Sequence, residues 1–593
     1  MTVSVDSSIQ RGGEWLLASS GADRVFTPER VTDEHRLIGN TAGAFVQNEV
    51  LPALDRLEQK DWALARQLLK RCGDLGLLGV DVPEEYGGVG LDKVSSLIVS
   101  DRFSRSASFG ATLGGQANLT VIPLCLFGTE SQKRTYLPRL LSGELVGAYA
   151  LSEAGSGSDA LGARTRAERQ PDGSFVLNGE KMWITNGGFA DIFIVFAKVG
   201  GEQFTAFIVE RGFGGVTSGK EEHKMGLHGS STTPVILQDV KVPAENLLGE
   251  VGKGHKVAFN VLNFGRFKLG AGCSGAAQGA INEAVKYAAE RRQFGQPIAS
   301  FGAIRHKIGE MIARTYAIES LAYRTAGLID RRIEATPHAS TDGSAALAAL
   351  EEYAVEASIA KVAGSETLNF VLDENIQIHG GNGYVRDYPA ERHFRDARVN
   401  RIFEGTNEIN RLLIPGMLAR RAVKGELGII PAAKALQDEL LGPPAIAVPD
   451  AGPLSGEARS VEAFKKAALM VFGIAMQTYG QAMADEQEVL MHLADMLIDV
   501  YSAESAVLRA RAAMLDRLPR ASLHADAASV FVNDAAMRVE ASAKQALAAM
   551  TEGDQLRAML AALRRLLKAP PANTVVLRRR MADEAVRLGG YPF

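Results

Sequence analysis

At 593 residues the chain is too long for one hydrophobic core, and 46% hydrophobic with 23% charged residues is the balance of an ordinary globular protein. A net charge of −4 gives no general reason to expect nucleic acid or an anionic membrane as partner. The three cysteines, Cys72, Cys125 and Cys273, are far apart and odd in number, which suits a reducing compartment and argues against a disulfide framework or a Cys-based metal site. The first residues, Met-Thr-Val-Ser-Val-Asp, lead into no apolar segment, so no secretory signal is expected. No run of 18 uncharged apolar residues is read, so no membrane span is expected, and a cytoplasmic location follows as the expectation.

Residues 1–145 read as an N-terminal helical domain, with Leu64, Leu68, Leu69 and Cys72 at helical spacing and Tyr136, Leu137, Leu140 and Leu141 on one side of a second amphipathic segment. Over 146–255 the period changes. Phe175-Val-Leu-Asn after a Pro171-Asp-Gly turn, 191–197, 204–209 and 235–242 are β-rich runs with close turn signals, predicting a compact antiparallel β domain or small barrel. Residues 256–424 return to helix, as a bundle interrupted by a loop at 334–348. A Pro/Gly-rich linker is expected over 425–455, and 456–593 is a further alanine-rich helical domain. The fold class is therefore mainly α with a central β domain.

Within this frame, Gly155-Ser-Gly157-Ser158-Asp-Ala160 fits a dinucleotide fingerprint by letters alone. It is rejected because 164–184 reads as strand, turn, strand rather than as the helix the fingerprint needs. The glycines could instead form an anion nest, or a plain surface turn. Trp183 and Thr185, two apart on one strand, are expected on the same face, so they could flank a planar ring; a core tryptophan is the alternative. Arg291, ending a helix, suits phosphate, and 377–384 offers glycines for close ligand approach; a solvated helix end and a terminating turn are the alternatives. Glu404 precedes Gly405 and Thr406, which caps a helix expected to bury Ile409, Leu412 and Leu413. Such a carboxylate is placed to act as a base, or is an exposed loop glutamate. No H-E-x-x-H, paired CxxC or P-loop occurs, so no metal is expected. A basic run, Arg557, Arg564, Arg565, Lys568, Arg578, Arg579, Arg580 and Arg587, overlies a leucine stripe and reads as a solvated packing face, a membrane-surface contact or a nucleic-acid contact.

Five stretches in this order, 148–159, 181–188, 290–295, 377–384 and 402–406, resemble the acyl-CoA dehydrogenase family. The added C-terminal helices, with 209–215 and 260–266, look most like its very-long-chain branch. The resemblance implies an N-terminal helical domain, a middle β-barrel and a four-helix bundle, with FAD between barrel and bundle. It implies that Tyr149, Leu151, Ser152, Gly157 and Ser158 line the flavin and the thioester end of an acyl-CoA substrate. Trp183 and Thr185 flank the ring, and Thr406 is a further flavin contact. Arg291, Phe294, Gln377, Gly380 and Gly381 hold the FAD diphosphate and adenosine of a neighbouring subunit, so a homo-oligomer, a dimer first, is implied. Glu404 is matched to the catalytic base, with Arg266 and Gly405 beside substrate. The family's alternative base position is Gly265 here, which cannot serve. The implied reaction is α,β-desaturation of the thioester in fatty acid β-oxidation, with electron-transfer flavoprotein as acceptor. Gly114 and Gly115 precede the base of the family's acyl cavity. An acyl-CoA oxidase, a DNA-associated flavoprotein and a scaffold that has lost the chemistry are the rivals. No nucleic acid is expected, and peripheral membrane contact has weak support.

Overall fold

The structure, a computed structural model, describes residues 9–336, 343–442 and 452–593. The leader expectation at 1–8, the middle of the 334–348 loop and the prolines of the linker at 443–451 lie outside the described residues.

The chain opens as helices, including Asp33–Phe45, Trp62–Asp74, Lys93–Phe103 and Glu130–Leu141. Their ends are set locally: Asp61 accepts the Leu64 N–H at 3.0 Å, and Thr129 with Gln132 forms a reciprocal capping box. Tyr136, Leu137, Leu140 and Leu141 are all buried, as their spacing predicts. Ala107–Phe127 is 21 residues long and apolar enough to cross a membrane by length and composition alone. Small residues and scattered Ser, Thr, Asn and Gln, uncharged but not purely apolar, make up much of it. In the fold 67% of its most apolar 18-residue window is buried, the behaviour of a core helix.

The middle segment is a sheet in the order β6-β7-β3-β2-β4-β5-β8, where β1 to β8 are Gly147–Ala150, Arg166–Arg169, Phe175–Thr185, Ile192–Val199, Gln203–Glu210, Val216–Ser218, Thr232–Val242 and Leu247–Leu248. Most neighbours are antiparallel, but β1 and β2 each run parallel to β4. Hairpin signals report only sequential partners, so this long-range pairing left no local trace.

Four long helices, Gly254–Glu290, Gly302–Glu334, Ala354–His379 and Asn407–Val423, form the bundle. The first and third approach so closely that a Cβ on Gly270 would lie 2.8 Å from the Ala360 Cβ. They run parallel: Gly270 meets Ala360, and Tyr287 stacks on His379 at 4.1 Å, so both helices end together.

Within the range expected to be linker, Ile429–Leu441 is helical, with Ile429 and Leu436 buried. Pro431 sits in its first turn, where proline is tolerated, so counting prolines misled. Five further helices, Ser455–Tyr479, Gln487–Leu515, Ala521–Met550, Gly553–Leu566 and Thr574–Leu588, share one apolar core with the bundle. Much of the basic run is spent internally: Arg578 pairs with Glu310 and Asp534, Arg580 with Asp526, Arg587 with Glu584 and Arg557 with Asp554. This is the packing-face reading of that stretch, with Leu563 fully buried beneath it.

Candidate functional site

A cavity of about 590 Å³ lies between the N-terminal helices and the bundle, and Glu404, Thr185, Gly265 and Phe403 stand in its wall. Glu404 sits just before the helix Asn407–Val423 at φ 58°, followed by Gly405 at φ 77°. A non-glycine residue in the left-handed region is held there by its surroundings. The holders are specific. Arg266 Nε donates to the Glu404 carbonyl at 3.0 Å, and Asn410 Nδ2 donates to the carbonyls of Glu404, Gly405 and Thr406. Lys361 Nζ donates to the Gly405 carbonyl and to Asn407 Oδ1, both at 2.7 Å. Thr406 caps the helix by accepting the Ile409 N–H at 3.2 Å. The helix buries Asn407, Asn410, Arg411, Ile414 and Leu418 rather than the expected Ile409, Leu412 and Leu413, because its first turn faces this polar clamp.

With its backbone so occupied, the Glu404 side chain is free. Its Oε2 is shielded from solvent and has no hydrogen-bond partner, and its backbone N–H donates to no acceptor among the described residues. Burial raises the carboxyl to about 7, with Arg266 and Lys361 opposing. The carboxylate lies against Gly265: a Cβ there would be 2.7 Å from Oε2. Positions 265 and 404, the two that the resemblance offers for a base, thus lie against each other, and glycine at 265 is what admits the Glu404 side chain.

Tyr149, on β1, is half-buried with a shielded, unpartnered hydroxyl, and desolvation of that hydroxyl with the nearby Glu404 carboxylate pushes its phenol well above the ordinary value. The loop after β1 is pinned by a buried pair. Lys181 Nζ donates to Glu153 at 2.7 Å and to the Leu151 carbonyl at 3.2 Å, while Glu153 also accepts the N–H groups of Arg164 and Thr165. Ser152 is tied to β3 through its carbonyl, which accepts the Met182 N–H at 2.9 Å. Gly157 and Ser158 are exposed, a Cβ on Gly157 would meet nothing within 4 Å, and no helix longer than the single turn Ala160–Gly162 follows. The rejected dinucleotide fingerprint is therefore absent in three dimensions.

Trp183 is 60% exposed and Thr185 lines the cavity. The same-face argument for them does not hold as made: Trp183 has φ 59° and the β3–β7 register shifts between Lys181 and Ile184, so a bulge breaks the strand's alternation. Gly114 lines the cavity, where a Cβ would make an ordinary 3.6 Å contact with Asn118 Nδ2, whereas a Cβ on Gly115 would press to 2.9 Å on Asn186 Nδ2, so Gly115 serves helix–sheet packing.

Arg291, Phe294, Gln377, Gly380 and Gly381 are brought together with one another but not with Glu404. All five are exposed at the common end of the two parallel helices, Phe294 at 92%, and a Cβ on Gly380 or Gly381 would meet nothing within 4 Å. Arg291 stands 26 residues beyond Gly265 on one helical path, ~39 Å away at ~1.5 Å per residue. Sequence inspection missed Lys361, Asn407, Asn410 and the Lys181–Glu153 pair. Lys361 had a signal, a lone lysine in the apolar run 354–364; the others had none before their partners were known.

Models of the acyl-CoA dehydrogenase N-terminal domain, middle domain and C-terminal domain match residues 32–144, 148–240 and 252–418, and a second C-terminal domain model matches 463–565. A probable acyl-CoA dehydrogenase of Bacillus subtilis (strain 168) is 48% identical over 582 residues, 97% of each chain. The very long-chain specific acyl-CoA dehydrogenase, mitochondrial, of Rattus norvegicus is 34% identical over 588 residues, covering 93% of this chain and 86% of that one. Among solved structures, the acyl-CoA dehydrogenase complexed with FAD from Bacillus anthracis superposes with TM-score 0.96 at 48% identity, covering 98% of this chain and 99% of that one.

Proposed function

This chain belongs to the acyl-CoA dehydrogenase family, and we propose that it desaturates long-chain acyl-CoA thioesters between C2 and C3, with Glu404 as base, in fatty acid β-oxidation. The observation that carries the reading is the unpartnered Glu404 carboxylate in the cavity wall, clamped through its backbone and held near neutrality by burial. A carboxyl poised there is a far better base than one at the ordinary value, because proton transfer works best with a matched pKa.

The residues present fit FAD: the Thr185 hydroxyl lines the cavity, the exposed indole of Trp183 lies on the same strand, the orphan hydroxyl of Tyr149 feels the Glu404 carboxylate, and Gly157 in the loop after β1 offers open backbone. FAD, when bound, supplies the hydride acceptor for C3. The protein's part is to place Glu404 at C2 and to offer the Glu404 N–H to the thioester oxygen, where negative charge grows as the proton leaves. Arg266 fixes the Glu404 carbonyl, and Ser158 and Gly405 are the further substrate contacts that the family resemblance suggests. The ~39 Å between Gly265 and Arg291 is more than one dinucleotide bridges within a subunit. That span supports a homodimer, in which Arg291, Phe294, Gln377, Gly380 and Gly381 serve the FAD of the other copy.

Long chains are supported by the lining. Gly265, Leu269, Gly272, Ala276, Gly279 and Glu283 follow one stripe of the helix past the cavity. That stripe runs ~27 Å at ~1.5 Å per residue; an extended chain gains about 1.2 Å per bond, so roughly twenty bonds fit. Electron-transfer flavoprotein is the proposed electron acceptor. The test is turnover across a ladder of acyl-CoA lengths with an artificial acceptor. Rising kcat/KM toward long chains supports the proposal, a short-chain optimum contradicts the chain length, and rapid peroxide formation in air would instead make the protein an oxidase.

A further inference from the structure

The wall of the same cavity carries a cation that proton abstraction does not use. Lys268, three residues past Gly265 on the bundle's first helix, is 8% exposed and lines the cavity. Its Nζ donates to Ser96 Oγ at 2.8 Å and to Asn118 Oδ1 at 2.9 Å, and lies 5.1 Å from the centre of the Phe264 ring. No carboxylate pairs with it among the described residues. Asp81, whose field it feels, is occupied by Lys93 at 2.6 Å. Burial pulls the Lys268 ammonium down to about 8, with Asp81 opposing, so it remains charged at neutral pH.

Both partners give Lys268 an oxygen and keep their own donors for elsewhere. Asn118 lines the cavity, its Nδ2 finds no acceptor among the described residues, and it sits in a π-helical turn, Ala117–Val121, inserted between the α-helical stretches Ala107–Gln116 and Ile122–Phe127. Such turns interrupt regular packing and recur where a helix serves a ligand. The result is two neighbouring donors, one cationic, in the stretch of wall that also carries Gly114, Gly115, Leu119 and Leu269, apart from the polar groups Arg105, Asn282, Glu283, Arg392, His393 and Asn400 elsewhere in the lining. A buried ammonium without an anionic partner is costly, and a plain alkyl chain would do nothing to offset it.

We propose that Lys268 and Asn118 form a subsite for an oxygen carried on the acyl chain, a hydroxyl or a carboxylate, so that oxygen-bearing acyl-CoA thioesters are among the substrates. The proposal rests on the acyl-CoA dehydrogenase reading and narrows its substrate class. Helical side chains lean toward the N-terminus, which carries the Lys268 ammonium back toward Phe264 and the level of Glu404. The oxygen it meets therefore lies within the first several carbons past the reacting bond, not at the end of a long tail.

The experiment compares kcat/KM of the FAD-loaded enzyme on matched pairs. Hydroxydecanoyl-CoA isomers, with the hydroxyl moved from the fourth to the eighth carbon, are set against decanoyl-CoA, and CoA monothioesters of five- to ten-carbon dicarboxylic acids against the unsubstituted chains of equal length. The expected result is that at least one oxygen-bearing arm exceeds its unsubstituted match about tenfold, the size of one charge-assisted hydrogen bond. The arm that wins identifies hydroxyl or carboxylate as the group. In Lys268→Met that ratio collapses by about the same factor, and in Asn118→Leu by less. Unsubstituted chains equalling or beating every oxygenated match in the wild-type enzyme would overturn the subsite whether or not the variants fold. So would equal losses on both members of a pair in Lys268→Met, which mark a purely structural lysine. Absence of turnover on every thioester would instead strike the dehydrogenase reading beneath it.

Discussion

Glu404 is the proposed base, and its surroundings fix how it responds to pH. Its carboxyl titrates at about 7 in the folded protein, above the ordinary 4.5, so the folded state holds its proton where the unfolded chain has released it. Activity that needs the free carboxylate should rise with pH through about 7 in a kcat/KM profile of the free enzyme. Folding stability moves the other way, falling between pH 4.5 and 7 and keeping the full cost above that window. Glu404→Gln should accordingly be more stable than the wild type at pH 8, by about 1–3 kcal/mol, and indistinguishable near pH 4, as read by thermal unfolding at both values. Gly265 is the reciprocal control. A methyl group there meets the Glu404 carboxylate at 2.7 Å, so Gly265→Ala should lower kcat by about tenfold or more through misplacement, with flavin content unchanged. The sequence displayed the carboxylate, its following Gly-Thr and the empty position at 265. It could not display the clamp, because Lys361 and Arg266 reach the loop from 44 and 138 residues away.

At the scale of elements, the loop 151–158 depends on a buried ion pair that no motif announces. Lys181 is fully buried, and Glu153 accepts from it and from two backbone N–H groups behind the loop. Removing the cation leaves that carboxylate buried and uncompensated. Lys181→Met should therefore destabilise the protein by about 3–5 kcal/mol and lower the FAD bound per subunit, measured as the flavin-to-protein absorbance ratio after purification. Helices of this protein were legible because apolar spacing and caps are local, as in Trp62–Asp74 and Glu130–Leu141. What was not legible is non-local or irregular: the parallel pairing of β1 and β2 with β4, the bulge at Trp183, and the helix Ile429–Leu441, whose proline lies where helices accept one. Rejecting a helix after Gly157 succeeded because strand alternation at 164–184 was itself a local signal.

Across the whole molecule, the C-terminal helices act as a brace on the bundle. Arg509 is buried between Glu29, at 2.6 Å, and Glu319, at 2.7 Å, joining the N-terminal segment, the bundle and the added domain. Arg324 and Lys465 share the buried Glu504, and Arg411, one turn past the Glu404 loop, bridges Glu366 and Asp495. Glu29 is held near 2 despite its burial, with Arg509 as the lowering partner. Arg509→Met strands two carboxylates and should lower stability by about 3–5 kcal/mol, seen as a lower Tm and earlier exposure of the 455–593 helices to proteolysis. The order of helical, β and helical segments was readable from changes in period. The brace was not, since each of its arginines looks in sequence like a surface charge.

The central claim is that Glu404 removes the C2 proton. Its most direct test is anaerobic mixing of FAD-loaded protein with a long-chain acyl-CoA, following flavin absorbance in wild type and Glu404→Gln prepared to equal flavin content. Bleaching in the wild type, slowed at least a thousandfold in the variant, is the outcome expected. Bleaching at a comparable rate in both would contradict it.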